Sequence, residues 1–196
     1  MTGDTAGDSV VAAWARYAAG EAALDTDPDL ARQLLDHAVD AARHHDDRYL
    51  LGVAMVSRAS IEARHGSPHA AATRLADVVE YWRDAGNWTN QWVSLRTVAA
   101  ALADLGDDRA AALVLGAVRH RGPGRPAPAP GDEQRLARLE QVLRHRLGDN
   151  AVGVAMASGA AMTPAAIVEL AVAGLRSTPE SPGATHPADQ AAERSS

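Results

Sequence analysis

The sequence predicts an all-α protein: an α-solenoid of antiparallel helix pairs, repeating about every forty residues and followed by further C-terminal helices. Three observations carry that expectation. Apolar residues recur at helical spacing between corners marked by glycine and aspartate. The chain matches itself when shifted by about forty residues, cap residues included. Alanine supplies much of the 46% hydrophobic content, so helices are expected to pack closely through small contacts.

The elements follow in order. Residues 1–8 read as a loose tail, and Ser9 caps a first helix, VVAAWARYAAGEAAL, anchored by Trp14. Asp27-Pro28 opens a second helix that ends near His44, with Leu30, Leu34, Ala38 and Ala41 or Ala42 as its apolar face. A third helix runs from Arg48 to Arg64 and a fourth from Pro68 to Ala85. Gly86 takes the left-handed turn that closes a helix, and Asn87 or Thr89 caps the next. Trp88, Trp92, Leu95, Ala99 and Leu102 then form one stripe at steps of four and three residues. Gly106 ends that helix, Asp107 caps a sixth, and Ala111, Leu115 and Val118 mark its buried face. These six helices make three helix-pair repeats over residues 9–121.

RGPGRPAPAPG interrupts the pattern, because proline-rich runs cannot continue a helix; residues 122–131 are expected to be a linker. Asp132 begins a seventh helix with Leu136, Leu139, Leu143 and Leu147 on its buried face. Asn150 to Ser158 reads as a short, weakly amphipathic helix. Thr163-Pro164 starts the last one, which carries Ile167, Val168, Leu170, Ala171 and Leu175. Residues 132–175 are thus expected to pack on the array, and residues 176–196, rich in Ser, Thr, Pro and Glu, to form a disordered tail.

The internal repeat fixes which residues meet. Thr26, Gly66 and Gly106 sit at equivalent corners, followed by Asp27, Ser67 and Asp107 as caps and by Pro28, Pro68 and Asp108. Ala19, Ala59 and Ala99 align before the corner. After it come Ala31, Ala71 and Ala111, then Leu35, Leu75 and Leu115, then Ala38, Val78 and Val118. Small residues allow close helix approach and the leucine locks between them. The spacing resembles the tetratricopeptide pattern, with somewhat longer helices.

Composition narrows the function classes. All 19 basic residues are arginine and the net charge is −6, which argues against a nucleic-acid-binding surface. Without cysteine there is neither a disulfide nor a thiolate metal site. No 18-residue apolar run offers a membrane span, and MTGDTAGDS lacks the apolar core of a signal peptide, so a cytoplasmic protein is expected.

Candidate chemistry is sparse. His37, His44, His45, Asp46 and Asp47 are metal-ligand types, but they fall along and around a corner where neighbours do not converge on one ion. His65 and His69 straddle a turn. Asp77, Glu80 and Asp84 form an acidic helix edge with no nucleophile or histidine obviously opposite, and Glu62 beside Arg58 reads as ordinary surface charge. Arg119, His120, Arg121 and Arg125 form a small basic patch suited to a helix C-terminus or to a phosphate. No catalytic residue, cofactor site or metal site is therefore expected. The residues assigned to partner contact are Trp88, Trp92 and Arg96. Stripe position makes the tryptophans core anchors or the aromatic wall of a peptide groove. Arg96 either snorkels over a neighbouring helix or holds a partner's carboxylate.

The run GNWTNQWVSLRTVAAALADLGDDRAAALVLGAV, with WRDAGNW before it and LARLEQVLRHRLGDNAVGVAMASGAAMTPAAIVELA after it, resembles a family. It is similar to the C-terminal tetratricopeptide-like repeat region of AfsR/SARP- and LuxR-type bacterial transcriptional regulators, in which a signal-transduction ATPase lies upstream. The resemblance covers roughly residues 30–175. It implies a non-enzymatic interaction module whose partner is a protein, a peptide or another domain of a larger regulator, present as a fragment or a free-standing paralogue. The departures are specific. Without lysine there is no phosphate-binding loop ending in Gly-Lys-Ser/Thr, and no cyclase region is present. MTPAAIVELAVAGL is similar to the opening of a LuxR-type DNA-binding domain, but STPESPGATHP stands where its recognition helix would follow. Direct DNA binding by this chain is thus not expected, and an end helix lacking a cap leaves room for self-association.

Overall fold

A computed structural model describes residues 9–120 and 130–177. Among them the chain is all-α, with nine helices and no strand. The tails at 1–8 and 178–196, and the linker residues 121–129, lie outside the described residues.

The first six helices are α1 (Val10–Ala23), α2 (Pro28–His44), α3 (Arg48–His65), α4 (Pro68–Asp84), α5 (Trp88–Asp104) and α6 (Asp108–Arg119). Each packs against the next in sequence. The corners are short because capping is local. The side chains of Ser9, Asp27, Asp47, Ser67, Asn87 and Asp107 each accept a hydrogen bond from a backbone N–H in the first turn of the following helix. Gly86 and Gly106 adopt φ of 65° and 86°, where a side chain is strained. Gly66, at the equivalent repeat position, does not; its backbone is extended, and a Cβ there would strike the Glu62 side chain instead.

The repeat alignment locates the core. Ala31, Ala71 and Ala111 are fully or almost fully buried, as are Leu35, Leu75 and Leu115. The face expected on α2 holds at Ala38, Ala41 and Ala42, which are buried, but not in the first turns: Leu30 is 45% exposed and Leu34 only half-buried, and Ala31 and Leu35 face inward beside them. Odd-numbered helices also touch one another, α1 with α3 and α3 with α5, and therefore share a face. Aromatic rings link the first pairs. Trp14 meets Tyr17 edge-on and stacks on Tyr49, which contacts Trp82, which contacts Tyr81. Gly52 leaves room for the Trp82 ring, which any Cβ would occupy.

Three more helices follow among the described residues: α7 (Pro130–Leu147), α8 (Asp149–Ala161) and α9 (Pro164–Arg176). Helix α7 starts two residues before the expected Asp132, and α8 is longer than expected at both ends. Helix α7 leans on α5, α6 and α8, and α8 packs chiefly on α6. Helix α9 lies against α4, α5 and α6, burying Ile167, Val168, Ala171 and Leu175. Its last residue, Arg176, belongs to the helix rather than to a tail and donates to Asp77 and Glu80 of α4. The acidic edge of α4 thus has a cationic partner.

Candidate functional site

The shared odd-helix face holds a cleft of about 300 Å³ between α3, α5 and α7. Helix α3 contributes Ser60, Ala63 and Arg64; α5 contributes Val93, Arg96 and Asp104; α7 contributes Asp132, Leu136 and Leu139. The lining is more apolar than charged, and Val93 is 37% exposed at its edge. Arg96, with a side chain only 9% exposed, donates to Asp132 at 3.1 Å and so fastens α5 to the start of α7. Arg135 pairs with the same carboxylate, and Arg64 pairs with Asp25 at 2.6 Å.

Of the three residues assigned to partner contact, only Arg96 lines this cleft. Trp92 is 5% exposed and belongs to the main core. Trp88 departs from the stripe: it is 50% exposed. It is the first residue of α5, and no preceding turn of that helix shares its face. The fully buried tryptophan is Trp82, in the last turn of α4 against Gly52. The α7 side of the cleft was not visible in the sequence, because Asp132 lies 36 residues beyond Arg96, with α6 and the segment read as a linker between them.

A second cleft, of about 350 Å³ and mostly polar, opens between α2 and α4 over α3. Asp36, Asp40 and Arg43 of α2, Arg58 of α3, and Arg74 and Asp77 of α4 line it. Arg58 is no surface charge, contrary to the sequence expectation: it is 6% exposed. Its Nε donates to Asp36 at 2.6 Å and its Nη1 donates to Glu62. Arg32 and Arg74 approach Glu62 at 3.7 and 3.9 Å. Burial is the largest influence on the guanidinium and lowers its pKa, but its hydrogen bonds to Asp36 and Glu62, together with the charges of those carboxylates, outweigh it, and the pKa is raised. A one-turn Arg-Glu spacing is common on exposed helices, so no sequence signal distinguished this pair.

Of the basic patch, Arg119 turns to α7 and pairs with Glu140 and Glu133, while His120 is exposed; Arg121 and Arg125 lie outside the described residues. Among the described residues, no group of three or more histidine or acidic side chains is arranged to hold a metal ion. None of the described helices is long and apolar enough to cross a membrane. The chain has no significant match among family models, curated proteins or solved structures.

Proposed function

We propose that this chain is a non-enzymatic, tetratricopeptide-like α-solenoid that binds a protein or peptide on its odd-helix face. The observation that carries this reading is the cleft shared by α3, α5 and α7, where apolar Val93, Leu136 and Leu139 sit among Arg64, Arg96 and Asp104. An extended segment with an apolar side chain and flanking charges matches such a lining. The resemblance to AfsR/SARP- and LuxR-type regulators extends the reading: the occupant is another domain of a larger cytoplasmic regulator, or a partner of a free-standing module. DNA binding through the LuxR-like segment is not advanced, because the apolar face of α9 is packed against α4, α5 and α6.

The test is a native-extract purification of tagged wild-type chain beside Val93→Arg, with the companions weighed. A stoichiometric companion retained by wild type and lost by Val93→Arg, with melting unchanged, is the expected result. Absence of any companion, or one indifferent to the substitution, defeats the reading.

A further inference from the structure

The forty-residue repeat places two grooves in equivalent positions, and they differ in kind. Helix α9 fills the groove of α4, α5 and α6. There Ala76, Val98, Leu102, Val114 and Ala117 are all fully buried. One repeat earlier the same positions are Asp36, Arg58, Glu62, Arg74 and Asp77. Every apolar residue has become charged, and the groove of α2, α3 and α4 is the open polar cleft. The contacts of α9 fall on positions that the forty-residue shift maps onto the charged groove. Gly174 of α9 lies over Leu102, the counterpart of Glu62, and Arg176 reaches Glu80, the counterpart of Asp40.

The charges in this cleft balance. Three arginines and three aspartates face it, so neither a simple anion nor a simple cation matches it as a whole. Arg58 is buried yet uses only two of its donor nitrogens: among the described residues Nη2 makes no hydrogen bond. A buried guanidinium with spare donors suits a planar oxyanion presented in the cleft. Arg74, 45% exposed and no nearer than 3.9 Å to its carboxylate neighbour, stands on the opposite wall. Asp40, whose nearest cation is Arg43 at 3.6 Å, offers a carboxylate to an ammonium group.

We propose that the α2–α3–α4 cleft binds a small zwitterion of the α-amino-acid type. Its carboxylate accepts from Arg58 Nη2 and Arg74, and its ammonium group donates to Asp40. The site is independent of the odd-helix face, so it stands or falls separately from the interaction reading above.

The experiment is a nuclear magnetic resonance titration of the full chain, following the Arg58 Nε–H and backbone amides of residues 36–43, 55–58 and 74–77. The probes are glycine, L-glutamate, L-glutamine and L-arginine, beside their N-acetyl and α-amide forms, sodium acetate and ammonium chloride. At least one free amino acid is expected to give saturable shifts confined to these amides, with affinity at least about tenfold better than either blocked form. Arg74→Gln, an exposed substitution, is expected to abolish the shifts while leaving the melting temperature unchanged. No saturable shift from any probe up to about 20 mM overturns the proposal. Acetate saturating the same amides as tightly as the free amino acids also overturns it, leaving an oxyanion site only. So does persistence of binding in Arg74→Gln.

Discussion

Gly116 of α6 lies directly against the backbone of Met156 in α8, so closely that a Cβ at Gly116 would collide with the Met156 carbonyl oxygen. The contact is reciprocal, since a Cβ at Gly159 of α8 would collide with the backbone of Leu113 in α6. Two helices therefore touch backbone to backbone, without side chains between them. Gly116→Ala and Gly159→Ala are each expected to destabilise by about 1–3 kcal/mol, because the obstructing atoms are main chain and cannot rotate away. Gly153 is the control. It is also in α8, but open space surrounds the position of its Cβ. Gly153→Ala is expected to stabilise by about 0.5–1 kcal/mol. Urea denaturation followed by helical circular dichroism gives all three values.

The tryptophans of α5 divide sharply. Trp92→Ala removes a side chain that is 5% exposed and is expected to cost about 3–5 kcal/mol. Trp88→Ala, at a half-exposed helix start, is expected to change stability by no more than about 0.5 kcal/mol. Equal losses for the two in denaturant titrations contradict this placement.

Arg58→Ala removes the cation that Asp36 and Glu62 share; because Asp36 is half-exposed and Arg32 and Arg74 still stand near Glu62, it is expected to destabilise by about 1–3 kcal/mol. The repeat itself supplies the compensating design. Replacing Asp36, Arg58 and Glu62 together by Ala, Val and Leu, the residues at positions 76, 98 and 102, is expected to be neutral or stabilising. A triple variant as unstable as Arg58→Ala contradicts the equivalence of the two grooves.

Alkaline pH tests the aromatic region. Burial, first, and then the charge of Glu21 raise the pKa of Tyr17 above 10.0, outweighing the Ser57 hydroxyl. Burial is likewise the main cause for Tyr81, whose hydroxyl donates to the Arg48 carbonyl at 2.6 Å. A raised folded-state pKa means the native state holds the phenol proton more tightly. That stabilisation is fully present below pH 10 and is lost as the pH rises above it, because the unfolded chain ionises first. The melting temperature is therefore expected to fall as the pH rises above 10. A double Tyr17→Phe, Tyr81→Phe variant is expected to fall less.

The corners were the most legible part of the fold. Asp27, Ser67, Asn87 and Asp107 act through local chemistry, where one side chain meets the next turn, and a sequence records such chemistry directly. The core leucines were legible through the repeat more than through single-helix periodicity, which misplaced Leu30. Helix α8 was poorly legible because its contact with α6 is made by glycine and backbone, which leave no hydrophobic stripe. Of the candidate site, Arg96 was recognised, but its partner Asp132 was not. Arg58 was misread because burial of a charge depends on what α2 and α4 place over it, and residue type alone does not say so.

The chain of rings from Tyr17 to Tyr81 has an optical corollary. No Phe, Trp or Tyr occurs after Trp92, so α6 through α9 contain no ultraviolet chromophore beyond the peptide bond. Intrinsic fluorescence therefore reports on α1 to α5 alone, with neighbouring tyrosines and tryptophans close enough to exchange excitation. Partial melting of the glycine-seamed C-terminal half would pass in darkness, and a tryptophan introduced there, for instance at the exposed Val154, would give that half its own lamp.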